Sequence, residues 1–202
     1  MKLCIFLLLI VGAWVAPIDA QTTQPAPAAW QQTAQTIAAS LASGQECRSL
    51  LANDCAIRAF DGPSSRQLAD VCAHTSGATL LLAKAYTFPG GAIAADIGAA
   101  VQGSGASDDI KHLLVPAEGD PTTKANTTAT RWVQNALAPA SGDPVAVLVY
   151  LTANSDQTAD SDGQILFVLL KARADSDDHY SINQIVYGDT QQAAVTSAPS
   201  AR

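Results

Sequence analysis

The sequence predicts an α+β fold in which a helix-rich N-terminal half packs on a small antiparallel three-stranded sheet at the C-terminal end. Three observations predict it. Apolar residues in the front half recur every three or four positions, as one face of a helix requires. After Gly142 the texture changes to runs rich in β-branched and aromatic residues, separated by Asp- and Gly-containing joints. A chain of 202 residues, 48% of them hydrophobic, is long enough to bury a real core without help from a metal.

The chain opens "MKLCIFLLLIVGAWVAPIDA". Lys2 precedes an apolar run from Leu3 to Ala16, Pro17 breaks it, and small Ala20 closes it before polar "QTTQPAP". These are the marks of a secretory signal peptide over residues 1–20. The run is shorter than the ~20 residues that cross a bilayer as a helix. No second long apolar run follows, so a periplasmic or secreted protein with no membrane span after cleavage is expected. Residues 21–29, "QTTQPAPAA", read as a Pro/Ala-rich linker. Residues 30–188 read as a single globular domain, and residues 189–202, poor in large apolars, as a disordered tail.

Within the domain, Trp30, Ala34, Ile37 and Leu41 form a helical stripe that Gly44 ends. A second helix is expected from about Gln45 to Phe60, with Cys47, Leu50, Leu51, Ile57 and Phe60 apolar. The turn "DGPSS" then leads into a third helix over about Ser65 to His74. "GATLLLAKAYTFPGG" reads as a helix, because Leu, Ala and Lys favour one and only Thr79 and Thr87 are β-branched. Ile93, Ile97 and Val101 mark another before "GSG". Ser107 with Asp108 and Asp109 starts a short helix over "IKHLLV". Asp120 and Pro121 start a longer one, with Trp132, Val133, Ala136 and Leu137 on its buried face.

"DPVAVLVYLT", "QILFVLLKARA" and "HYSINQIVYGD" follow as an antiparallel meander. The first two are almost continuously apolar, which predicts cover on both faces. In the third, the alternation slips between Ile182 and Ile185, which predicts a bulge or an edge position. This closing hairpin resembles the last strands of nuclear-transport-factor-two-like domains over a short part of the chain. It shares no specific motif with them, and the helix-rich front half departs from their pattern.

Cys4 leaves with the leader, and Cys47, Cys55 and Cys72 stay. An exported chain meets an oxidising compartment, where pairing is the default. In a helical hairpin turning at "DGPSS", Cys55 and Cys72 come level with each other. The expected disulfide is therefore Cys55–Cys72, with Cys47–Cys72 second; Cys47–Cys55 would need the helix to break at Asn53 and Asp54, and Cys47 is left as a buried apolar group ahead of a link to a second chain. Zinc and redox readings both lack a C-x-x-C pair.

The net charge of −7 argues against nucleic-acid binding, which needs a basic footprint. Charged residues are only 14% of the chain, against about 25% in an average domain. Three patterns are candidates for chemistry. Asp108 and His112, four apart, share a helix face and could orient an imidazole. His179 beside Asp178, with Asp175 and Asp177, could do the same in "ADSDDHY", or make a pH-dependent surface. Asp156, Asp160 and Asp162 before Gly163 offer oxygens to calcium, although Leu169 stands where an EF-hand loop needs its bidentate carboxylate. Helix-capping acids, a polar turn and a solvated hairpin loop explain the three patterns without any site. No G-x-S-x-G or S-x-x-K motif is present, and "FPGGAIAADIG" matches no phosphate loop. No cofactor is expected. The expected function is an exported soluble, acidic binding protein for a protein or small-molecule partner, inhibitor- or immunity-like roles included, rather than an enzyme. The alternatives are an exported hydrolase with a spatially assembled His/Asp site and a small-ligand carrier.

Overall fold

Apolar alternation on β-branched residues builds the centre of the molecule. In the computed structural model, which describes residues 26–45, 47–60, 67–89, 92–106, 132–152, 163–176 and 179–189, that centre is a five-stranded mixed sheet. Its strands are β1 (Leu51–Ala59), β2 (Thr79–Thr87), β3 (Pro144–Thr152), β4 (Gln164–Ser176) and β5 (His179–Asp189). They lie in the order β1-β5-β4-β3-β2. β1 runs parallel to β5, and every other neighbour is antiparallel.

The expected meander of β3, β4 and β5 is present, and β3 and β4 are covered on both faces. Along β4, Leu166, Val168, Leu170 and Ala172 face one layer, and Ile165, Phe167 and Leu169 face the other. That is the period of two that a strand imposes. The first layer holds α1 (Ala28–Ala42) and α2 (Leu68–Thr75). The second holds α3 (Ile93–Gln102) and α4, helical over 132–137. The predicted stripe of α1 is buried throughout, and Gly44 follows it at φ 70, a backbone conformation that costs glycine little. At the start of α2, Gln67 and Asp70 form a capping box. Among the described residues no helix is long and apolar enough to cross a membrane.

The three-stranded antiparallel sheet is corrected: the sheet has two further strands, and both replace expected helices. The stripe expected from Gln45 to Phe60 is helical only as one 3-10 turn, Arg48–Leu50. Beyond it, Asn53 and Asp54 interrupt the apolar pattern. Ile57 and Ala59 then turn to one layer and Phe60 to the other, which is strand periodicity. In β2 the residues that argued for helix have another role. Ala83 and Ala85 lie toward α1, and their small size lets that helix come close, while Leu82 and Tyr86 lie toward α3. Tertiary packing overrides the local preference of alanine here. The fold remains broadly α+β, now as helices on both faces of one sheet.

Candidate functional site

Three breaks in the ladder meet at one corner of the sheet. β5 carries one extra residue, Asn183: Lys171 pairs with Gln184, whereas Ala172 pairs with Ile182. On the other side of β5, Leu51 stands opposite Ile182 and Ala56 opposite Gln184. Residues 52–55 therefore loop out of β1 at the same level. A further irregularity lies between Ala174 and Ser176, where β4 approaches β5. Bulges bend strands and re-aim side chains. At this corner the side-chain oxygen of Asn183 is buried and, among the described residues, has no hydrogen-bond partner.

The re-aimed side chains are charged. Arg173 on β4 lies between two carboxylates: its Nη1 is 4.0 Å from Asp54 Oδ2 and its Nε is 3.5 Å from Asp175 Oδ1. His179 Nδ1 stands 3.2 Å from Asp175 Oδ2. The nearby Ser181, His179 and Arg173 side chains hold the Asp175 carboxyl below the usual carboxylate range; of the three, His179 and Arg173 make the direct contacts, and the Ser181 hydroxyl has no hydrogen-bond partner among the described residues. Asp54 and His179 are 72% and 64% exposed, so water screens these pairs and they contribute little to stability. The charges alternate in sign across the corner, from Asp54 on β1 to Arg173 and Asp175 on β4.

The sulfurs lie under the same corner. Cys55 sits in the β1 bulge and is half-buried. Cys47, just before the 3-10 turn, and Cys72, on α2, are buried in the layer formed by α1 and α2. No disulfide joins the three. Cys55 and Cys72 would come level only on two facing helices, and Cys55 lies on a strand instead. Burial first, then the charges of Asp54 and Cys47, push the Cys55 thiol up to about 11.

Two other polar groupings tie helices to the sheet. Tyr86 on β2 donates its hydroxyl to Asp96 Oδ2 on α3 at 3.0 Å, and Lys84 Nζ reaches the same oxygen at 2.7 Å. Burial, then the Asp96 charge, raises the Tyr86 pKa well above the usual phenol range, so this hydroxyl stays a donor and cannot serve as a base. Arg58 on β1 and Gln184 on β5 both donate to the Ala136 carbonyl at the end of α4. This satisfies a group that a helix C-terminus leaves open.

Of the residues singled out in the sequence, His179 is exposed and is joined by Asp175. Asp178, Asp108, His112, Asp156, Asp160 and Asp162 lie outside the described residues. The remaining histidine, His74, lies in the last turn of α2 with its ring 5.4 Å from that of Tyr187. Among the described residues no group of three or more His, Cys, Asp or Glu side chains could hold a metal ion. Sequence reasoning missed Asp54 and Arg173 as members of the corner. The signal for Asp54 was its place in "ND", which interrupts a helical stripe; Arg173 had none. No family model matches this chain, and searches of curated proteins and of solved structures return no match.

Proposed function

We propose that the chain is an exported binding protein and that it docks a protein partner through the bulged corner formed by Asp54, Arg173, Asp175 and His179. One observation carries the reading: the ladder breaks on both sides of β5 at the same level, and the side chains turned outward there are charges of alternating sign. Regular pairing would serve stability better, and bulges concentrate beside functional sites. The partner that fits presents a carboxylate to Arg173 and basic groups to Asp54 and Asp175, since complementary charge steers association and sets register. Export rests on the leader-like residues 1–20.

The test is capture from the host's own extract at neutral pH and low salt. The native chain should retain one stoichiometric protein, released as salt rises. The charge reversal Arg173→Glu should lose it while keeping the native circular dichroism and melting temperature. Equal capture by the variant would remove the corner from the reading, and a native chain that retains nothing would remove the reading itself.

A further inference from the structure

We propose that Cys47 and Cys55 form a disulfide that closes the β1 bulge once a disulfide oxidant reaches the chain. In the host this rests on the export reading, because an oxidising compartment supplies that oxidant.

The geometry points to this pair. The Leu50 N–H donates to the Cys47 carbonyl at 3.0 Å, which folds Cys47 back over the start of β1. Leu51 and Ala56 are opposite Ile182 and Gln184, two residues apart on β5. At ~3.3 Å per strand residue they stand roughly 7 Å apart, although the chain between them makes five steps. Cys55 is thereby returned beside Leu51, on the side where Cys47 sits. Both sulfurs pack against the same apolar cluster under α1 and α2. Cys72 competes for Cys47: it lies on α2, its sulfur is 3.8 Å from the Gln45 carbonyl, and it acts on Tyr150 together with Cys47; the β1 bulge, which returns Cys55 beside Leu51, favours Cys55. Asp54 and Cys47 are ionisable neighbours that act on Cys55, beside the bulge geometry that brings Cys47 and Cys55 together.

The chemistry is thiol–disulfide exchange with a small disulfide, RS–SR. Half-buried Cys55 loses its proton to water and attacks one sulfur of the oxidant. The RS–SR bond breaks and one thiolate leaves, giving a mixed disulfide on Cys55. Deprotonated Cys47 then attacks the Cys55 sulfur and expels the second thiolate. Two protein thiols are oxidised to one disulfide, and one oxidant disulfide is reduced to two thiols.

The test uses the full chain carrying Cys4→Ser, equilibrated with oxidised and reduced glutathione, alkylated under denaturing non-reducing conditions and digested with trypsin. Arg48 lies between the two cysteines, so cleavage there leaves separate peptides that only a disulfide holds together. The expected product is the peptide ending at Arg48 joined to residues 49–58, with Cys72 alkylated. The further change Cys72→Ser should leave that product intact, whereas Cys47→Ser should abolish it and leave Cys55 open to alkylation. A bond from Cys72 to either other cysteine, or three alkylated thiols, would overturn the proposal. N-terminal sequencing of chain recovered from its host tests export separately: a retained Met1 sinks the export reading, while the pairing measured in buffer stands or falls by itself.

Discussion

Gln31 closes part of the open edge of β2 by acting as a short piece of strand. Its side-chain oxygen accepts the Ala85 N–H at 2.8 Å, and its side-chain nitrogen donates to the Ala83 carbonyl at 2.9 Å. Among the described residues β2 has no neighbour beyond it in the sheet, and its first half carries Leu80, an exposed large hydrophobic residue. An unguarded apolar edge invites pairing with another chain. Further along β2, Leu81 is an extra residue between the pairs Leu80–Tyr150 and Leu82–Val149, and this bulge makes the edge harder to extend.

The first prediction concerns that edge. Gln31→Ala removes two hydrogen bonds and leaves the Ala83 carbonyl and Ala85 N–H to water. A loss of about 1–2 kcal/mol in unfolding free energy is expected. Light scattering should also show association that grows with protein concentration, absent in the native chain. A variant that melts lower but stays monomeric at every concentration would mean that Gln31 only anchors α1 and does not protect the edge.

How legible this architecture was in the sequence follows from which residues carry two messages. Trp30, Ala34, Ile37 and Leu41 carry one, since a buried stripe at helical spacing has no other use, and α1 lies where they place it. The runs from Val145 to Tyr150 and from Ile165 to Leu170 are similarly unambiguous, because both layers need them apolar. Ala83 and Ala85 carry two: alanine favours helix by itself, yet here it is a strand residue kept small for a helix above it. Only the long-range pairing with Val147 and its neighbours decides between the two. Leu50 and Leu51 likewise fit a helix as far as the 3-10 turn goes. The corner was less legible still, since Asp54 and Arg173 are 119 positions apart in the numbering and meet only because β5 lies between their strands.

The second prediction follows from Asp143 and Lys171, which join the segment before β3 to β4. Asp143 Oδ2 takes the Lys171 ammonium at 2.9 Å and the Ala140 N–H at 2.8 Å. Partial burial opposes ionisation, but the Lys171 and Ala140 donors outweigh it and hold the carboxyl below its usual value. A lowered folded pKa contributes stability that is fully present above the unfolded value of about 3.9 and disappears as the pH falls through the folded value. Asp143→Asn should therefore melt about 2–4 °C below the native chain at pH 7, corresponding to about 1 kcal/mol for a partly exposed pair. The two melting curves should converge as the pH falls through the folded value of Asp143, where its carboxyl becomes neutral like the amide. A gap that stays unchanged down to the lowest pH at which the fold survives would assign the effect to the shape of the amide and not to the charge.

The third prediction concerns the reactivity of Cys55 in the reduced, native chain. Only the thiolate attacks an alkylating agent. With the thiol pushed up to about 11, about one molecule in a thousand carries that thiolate at pH 8. Site-resolved mass spectrometry after iodoacetamide pulses should show the Cys55 rate rising about tenfold per pH unit between pH 7 and 10. Asp54 is the largest charge acting against ionisation after burial, and removing it favours the thiolate. Asp54→Asn should therefore react faster than the native chain at pH 8 and approach it above pH 11, where both are ionised. The same substitution takes away one partner of Arg173, so the capture experiment provides an internal check. A chain that reacts faster but captures as before keeps Asp54 in the thiol's environment and removes it from the docking surface. A rate that does not depend on pH would mean that opening of the bulge, and not ionisation, limits access to the sulfur.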